Sequence, residues 1–523
     1  MLLSDLVRAS SRVAATRARS AKIEALASVL GRARVAEVPV AVAYLSGSLP
    51  HGSIGVGWAT VRNLPSPTGS EPTLELGSVD RTLRRIGATT GSGSQAARRA
   101  ELAQLFEAAT EEEQRFLRGL LTGEIRQGAL EGLMVEAVAR ASDVPAQAVR
   151  RALMLGADLG AVARAALSEG ERGLAGFRLR VLEPVQPMLA QSATDLEDAL
   201  GRIRPASVEW KLDGARLQVH RAGREVRAFT RNLADVTSRV PEIVERVAGL
   251  PVEAVVLDGE AIALRDDGRP HPFQVTMGRF GSRLAVEALR ASVPLSCFFF
   301  DLLHLDGEDL IDRPLAGRLT VFDERLPQEV RIPRIVAASA AEAEPFLEGT
   351  LAAGHEGVMV KSLEAPYGAG RRGAGWLKVK RAHSLDLVVL GAEWGHGRRR
   401  GWLSNLHLGA RDPETGGFVM LGKTFKGMTD QVLEWQTERL LQLETRRDRF
   451  TVYVRPGLVV EVAFDGLQTS PRYPGGLALR FARIKGYRHD KAPEDADTID
   501  TVRALHAGDA GASAASGGQD AAR

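Results

Sequence analysis

Apolar residues in the first third of the chain recur at helical spacing. In "FLRGLLTGEIRQGALEGLMVEAVARA", Phe116, Leu117, Leu120 and Leu121 share one face. Leu130, Leu133, Met134, Ala137 and Val138 repeat the 3–4 spacing after a glycine-bounded break. The N-terminal stretch sets Leu6, Val13, Ile23, Leu26 and Leu30 on an amphipathic element. Its Arg, Ser and Ala content also fits a transit peptide, but no cleavage-like site follows, so a helix is the preferred reading. Loops fall at "NLPSPTGSEPT" and "GATTGSGSQ". An all-α domain is predicted over residues 1–175. From Pro184 the runs become short and β-rich. "RLQVH" and "EVRAFT" flank "RAGR" like a hairpin, and "EAVVLDGEAIAL", "SCFFFDLLHL", "EGVMVKS" and "GWLKVKR" read as strands between helical stretches. They predict an α+β domain over 184–384. "LDLVVLGAEW", "FTVYV" and "GLVVEVAF", with one helix at "DQVLEWQTERLLQLE", predict a small β-barrel over 385–505. The low-complexity tail 506–523 is predicted to be disordered.

Composition narrows the class. A chain of 523 residues holds two to four domains, each with its own core. Hydrophobic content of 44% and charged content of 25% are ordinary for a soluble protein. The net charge of +3 permits basic surfaces without requiring a nucleic-acid partner. Arg118, Arg126, Arg150 and Arg151 are candidates for phosphate contact or, equally, members of solvated helix faces. Cys297 is the single cysteine, which excludes an internal disulfide and any multi-cysteine zinc site. No apolar run reaches the roughly 18 residues of a membrane span. A cytoplasmic protein without membrane contact is expected.

The lysines carry the chemical signal. Only nine of the 68 basic side chains are lysine, and seven of these fall between residues 211 and 485. Arginine keeps its proton, whereas a lysine amine can become a nucleophile. "KLDGAR" brings Lys211, Asp213, Gly214 and Arg216 together. Asp213 would orient the amine, and Arg216 would place a cation beside it and hold a phosphate. Two other motifs are decoys. "GFVMLGKT" (417–424) matches a phosphate loop in letters, yet its middle is strand-like and no convincing helix follows. "GAGRRG" (368–373) matches a dinucleotide fingerprint but lies between two strands.

"EWKLDGAR" resembles the nucleotidyl-lysine motif of ATP-dependent DNA ligases, within the superfamily that includes RNA ligases and mRNA capping enzymes. Further segments resemble that family's motifs in order: "FTRNLADVT" with Arg231, "LDGEAIA" with Glu260, "FFFDLLHLDGE" with Phe300, "EGVMVKS" with Glu356 and Lys361, "RRGAGWLKVKR" with Arg372, Lys378 and Lys380, and "LRFARIKGYRHDK" with Arg480 and Arg483. Upstream, "LLTGEIRQG" and "PVQPMLA" resemble the helical DNA-binding domain and its junction in the three-domain ligases of archaea, eukaryotes and some bacteria.

The resemblance implies a helical DNA-binding domain, an adenylation (nucleotidyltransferase) domain and an OB-fold barrel. It implies ATP as co-substrate, Mg²⁺ or Mn²⁺, and nicked double-stranded DNA as partner, in a monomer serving replication, repair or recombination. Lys211 would be the adenylated residue. Phe300 would stack on adenine and Glu209 would read its edge. Arg216, Lys378 and Lys380 would supply fixed positive charge, and Arg231 and Arg372 would meet ribose or phosphate. Glu260 and Glu356 are oxygen donors suited to a hard cation, although Glu260 is also a candidate to hold the ribose. Arg480 and Arg483 would orient the pyrophosphate. Read singly, Phe300 suits a core, Glu260 and Glu356 suit ion pairs, and Lys378 and Lys380 suit a solvated strand face; their joint order around Lys211 favours the ligase. An NAD⁺-dependent ligase is disfavoured because its four-cysteine zinc module cannot form. A capping enzyme leaves the helical third unexplained, and a DNA-binding scaffold leaves the lysine motif unexplained.

Overall fold

Helix-forming pattern and capping chemistry agree along the N-terminal third of the computed structural model, which describes residues 1–52, 54–68, 71–125, 131–156, 158–369, 375–380 and 383–511. The N-terminal amphipathic stretch forms two helices, Leu3–Ala15 and Arg19–Leu30. Thr16 turns extended between them, and its hydroxyl accepts the Ala18 N–H at 3.1 Å. Leu6, Val13, Leu26 and Leu30 are buried, and Ile23 packs against the same core. The helix Glu111–Thr122 opens on a reciprocal cap, with Thr110 accepting from the Glu113 N–H and Glu113 accepting from the Thr110 N–H. It closes on left-handed Gly123. Phe116, Leu117 and Leu120 join Leu133, Met134, Ala137 and Val138 of Glu131–Ser142 in one continuous core. Leu130 lies outside the described residues.

Two five-stranded sheets follow. The first runs Gln191–Ser192, Trp376–Lys380, Gly357–Ser362, Ala206–Lys211, Arg334–Ala337. The second runs Glu225–Thr230, Ala215–Ala222, Ala254–Ala263, Leu295–Leu305, Glu308–Asp309, and it contains the expected hairpin, turned at left-handed Gly223. Each sheet buries one face under helices: Leu196–Arg202 and Ala340–Ala352 on the first, Pro241–Ala248 and Leu315–Arg325 on the second. Their remaining surfaces meet around the cavity described below.

The C-terminal part is strand-rich. Its sheet runs Phe418–Thr424, Leu403–Arg411, His383–Trp394, Thr451–Val454, Glu444–Arg447, while Val459–Phe464 pairs with the first half of the long His383–Trp394 strand and with Arg483–Tyr487. Among the described residues no ladder joins the two ends of this sheet into a closed barrel. The helix Asp430–Gln442, capped by Thr429, covers its core. The last helix, Ile499–Gly511, carries regular structure into the stretch read as a low-complexity tail, and residues 512–523 lie outside the description.

The three parts are joined through specific contacts. Arg151 of the helical part makes a bidentate pair with Asp312, at 2.9 and 2.6 Å. The connecting segment is pinned where the Val185 N–H donates to Gln218 and the Met188 N–H donates to the Tyr367 hydroxyl. Among the described residues, no helix is long and apolar enough to cross a membrane.

Candidate active site

The strand registers of the first sheet assemble the site. Side chains two apart on a strand share a face, and residues opposite one another on neighbouring strands form rows. One row is Ser207, Lys361 and Trp376; the next is Glu209, Met359 and Lys378; the third is Lys211, Gly357 and Lys380. The third row thus sets two lysines on either side of a glycine. Glu356 precedes that glycine, and its N–H donates to the Lys211 carbonyl at 3.1 Å. Its carboxylate lies between the two ammonium groups: Lys211 Nζ donates to Oε2, and Lys380 Nζ donates to Oε1 at 3.0 Å. Burial works to raise the Glu356 carboxyl, but Lys211 and Lys380 outweigh it and hold the group below the usual carboxylate range.

A cavity of about 850 Å³ opens between the two sheets. In its wall Lys361 forms a fully buried pair with Glu209 at 2.5 Å. The Lys361 ammonium also lies 4.2 Å from the Phe300 ring centre and 4.3 Å from that of Trp376, and these rings meet edge-on at 5.7 Å. Burial raises the Glu209 carboxyl despite Lys361. Lys211 and Lys378 also line the cavity. Lys378 makes no ion pair among the described residues. Burial, then the charges of Lys380 and Lys211, push its ammonium below the ordinary lysine range. The cavity therefore combines two rings, with Lys361 and the Arg216 guanidinium against them, and Lys378, a cation with no ion pair among the described residues.

The second sheet supplies Arg216 and Glu260, opposite one another on adjacent strands. Asp258 holds the Arg216 guanidinium at 3.0 and 2.6 Å, and the Tyr367 hydroxyl donates to the same carboxylate at 2.6 Å. Glu260 accepts no hydrogen bond among the described residues, and burial pushes its carboxyl up to about 7. Gly214 makes this approach of strands possible: a Cβ there would stand 2.3 Å from the Ala261 carbonyl and 2.9 Å from the Glu260 side chain. From the C-terminal part, Arg480 reaches across to Asp213 with bonds of 2.6 and 3.2 Å, and Asp465 meets Lys380 at 3.2 Å.

The structure therefore brings together most of the residues singled out from the sequence. Lys211, Glu209, Arg216, Arg231, Glu260, Phe300 and Lys378 line the cavity. Glu356 and Lys380 hold its lysine, and Arg480 holds Asp213. Arg483 is exposed and does not line the cavity. Arg372 lies outside the described residues, as do most of the "GAGRRG" decoy and Arg126. Lys423 of the other decoy sits within the strand Phe418–Thr424 and pairs with Glu393, and no helix begins until Asp430, so no phosphate loop forms. Arg118 donates to Gln114, Arg150 pairs with Glu136 and Arg151 with Asp312, so these candidate phosphate contacts are engaged internally. Sequence reasoning gave no role to Trp376 and Lys361, although period-two spacing from Lys378 and Met359 marks both. The Asp258–Tyr367 brace is separated by more than a hundred residues, and no local pattern signals it.

Three family models match successive parts of the chain. The family model "ATP dependent DNA ligase domain" matches residues 187–380, "ATP dependent DNA ligase C terminal region" matches 399–491, and "DNA ligase N terminus" matches 18–139. A "Probable DNA ligase" of Anaeromyxobacter dehalogenans (strain 2CP-C) is 59% identical over 513 residues, covering 97% of this chain and 100% of the relative. A "Probable DNA ligase" of Mycolicibacterium gilvum (strain PYR-GCK) is 59% identical over 509 residues, covering 97% and 99%. The solved structure "Pmar-Lig_PreS3" shares the fold at 17% identity with a TM-score of 0.59, covering 92% of this chain and 99% of that one. The chain belongs to the ATP-dependent DNA ligase family and is an enzyme of that class.

Proposed function

We propose that the enzyme seals nicks in duplex DNA through an AMP carried on Lys211. The carrying observation is the lining of the cavity: its volume suits a nucleotide, Phe300 and Trp376 suit a base, and Lys211 and Lys378 suit phosphates. Adenine lies against Phe300 and Trp376, with its edge toward Glu209 and Lys361. Glu356 fixes the direction of the Lys211 amine. In the first step Nζ bonds to the α-phosphorus of ATP, and the bond to the β-phosphate oxygen breaks, releasing pyrophosphate. Next a 5′-phosphate oxygen of the nick takes the adenylyl group and Nζ leaves. Last, the 3′-hydroxyl attacks that 5′-phosphorus, AMP departs and the strand is joined. Lys378, Lys380 and Arg216 hold positive charge around these steps, and Arg480 aligns the pyrophosphate side. Arg231, at the cavity rim, meets the ribose or phosphate.

A Mg²⁺ or Mn²⁺ ion fits Glu260, which has hard oxygen donors without a partner among the described residues. Glu356 is less available, since both its oxygens face lysines. No group of three or more His, Cys, Asp or Glu side chains is placed for a metal among the described residues, so the remaining ligands would have to come from phosphate and water oxygens. The ion would neutralise phosphate charge.

In this reading, residues 1–175 grip the duplex, 184–384 perform adenylation, and 385–505 serve as an OB-type domain beside the cavity. The protein works as a cytoplasmic monomer in replication, repair or recombination. Incubation with a nicked DNA duplex tests the reading. Joining with ATP, and none with NAD⁺ or GTP, is expected; joining driven by NAD⁺ would overturn it.

A further inference from the structure

Arg216 owes its direction to two acceptors. Its Nε and Nη2 donate to Asp258 at 3.0 and 2.6 Å, and its Nη1 donates to the Met188 carbonyl at 2.5 Å. Both acceptors are held in turn by one hydroxyl. Tyr367 Oη donates to Asp258 Oδ2 at 2.6 Å and accepts the Met188 N–H at 3.1 Å. A longer contact from Arg216 Nη2, at 3.3 Å, closes the circuit. A hydroxyl has one proton and two lone pairs, so this one is used to capacity.

The members come from separate segments. Met188 lies on the connecting segment, Arg216 and Asp258 on neighbouring strands of the second sheet, and Tyr367 on the loop that follows Gly357–Ser362. Asp258 is 1% exposed and Tyr367 3%, so water has no access to replace a lost bond. Burial, and after it the Asp258 charge, raise the Tyr367 hydroxyl well above the ordinary tyrosine range. It therefore keeps its proton and remains a donor.

The Tyr367 ring is fixed independently of its hydroxyl. Its N–H donates to the Ile311 carbonyl at 3.1 Å, and its ring meets Trp376 edge-on at 6.0 Å. The Arg318 guanidinium, itself buried against Asp301 at 2.7 and 2.9 Å, lies 6.0 Å from the ring centre. A phenylalanine would keep this seat. Without the hydroxyl, the Asp258 carboxylate loses a donor and the Met188 N–H loses its acceptor, so both groups that direct Arg216 are released together. Arg216 lines the cavity and Tyr367 does not, so the hydroxyl can act on a bound phosphate only through Arg216. A misplacement of roughly 1 Å in a group that aligns reactants costs on the order of a hundredfold in rate.

We propose that Tyr367 is a positioning residue for the transfer of AMP to Lys211: through Asp258 and Met188, its hydroxyl holds the Arg216 guanidinium in the direction the phosphates require. The proposal rests on the ligase reading, and its test separates the two. The rate of protein–AMP formation is measured over a range of ATP concentrations, well below the melting temperature of each variant. In Tyr367→Phe the rate at saturating ATP should fall at least tenfold, while the ATP concentration for half-maximal rate changes less than about threefold, because alignment rather than uniform binding is lost. Arg216→Lys keeps a cation that cannot grip both carboxylate oxygens as a fork. In that background Tyr367→Phe should cost no more than about twofold, since the two changes break one network. Tyr44→Phe removes another buried hydroxyl, which donates to Asp80 in the helical part at 3.5 Å, and should label at the unmodified rate. Absence of labelling in the unmodified enzyme would sink the ligase reading itself. With that enzyme labelled, an unmodified rate in Tyr367→Phe, a defect confined to half-saturation, an equal further loss in the Arg216→Lys background, or an equal loss in Tyr44→Phe would each overturn the positioning role.

Discussion

Glu260 presents a carboxyl that accepts no hydrogen bond among the described residues. Burial raises its carboxyl to about 7, so the folded protein holds this proton across a range in which the unfolded chain has released it. Below the ordinary carboxylate value both states are protonated. As pH rises from there to about 7 the unfolded state binds fewer protons, so stability falls, and above 7 the loss is constant. Without nucleotide or metal, the loss should reach up to about 3 kcal/mol, since each tenfold weakening of acidity on folding is worth about 1.4 kcal/mol. Glu260→Gln cannot ionise and should lack this limb. Melting curves at pH 5 and 7.5 measure it: a pH dependence in Glu260→Gln equal to that of the unmodified protein would contradict the assignment. Neither this signature nor the Lys211–Glu356–Lys380 bridge is legible from residue type. Both depend on partners far apart in sequence.

At the scale of elements, the regular spacing of side chains along strands only becomes a site because glycines let the strands approach. Gly357 has φ 143° and lies between Lys211 and Lys380, where a Cβ would stand 2.2 Å from the Val379 carbonyl. Gly214 lets the Glu260 strand close on the lysine loop. Gly214→Ala should therefore separate these strands, lower stability by about 1–3 kcal/mol and cut self-adenylation at least tenfold. Unchanged labelling with ATP would show that the approach does not matter. Much at this scale was legible in the sequence. Short β-rich runs marked the strands that carry Glu260 and Phe300, and helical spacing marked Glu111–Thr122 and Asp430–Gln442, whereas the strand Ala206–Lys211 was not among the runs read as strands. The pairing of these strands into two sheets was not legible, because registers such as Lys211 opposite Gly357 join segments with no local signal. The N-terminal break was missed for a different reason: apolar residues continue on both sides of Thr16, so the extended backbone there leaves no mark on the hydrophobic pattern.

The whole molecule enters the chemistry where the C-terminal part touches the cavity. Arg480 reaches Asp213, two residues from Lys211, whereas Arg483, three residues further along, is exposed to solvent. The sequence placed both at the same task; the turn between Leu477–Arg480 and Arg483–Tyr487 separates them. Arg480→Ala should depress transfer of AMP to Lys211 at least tenfold, while sparing closure of a nick that already carries 5′-AMP, because pyrophosphate leaves only in the first step. Arg483→Ala should leave both half-reactions within about twofold, as expected for an exposed side chain that makes no ion pair among the described residues. Equal loss of both half-reactions in Arg480→Ala at unchanged melting temperature would refute the step-specific role. The reading as a whole rests on one covalent event, and peptide mapping by mass spectrometry after incubation with ATP, without DNA, tests it directly. One AMP per chain, attached at Lys211 and absent from Lys211→Arg, is the expected result. An adduct on another residue, or full labelling of Lys211→Arg, would contradict it.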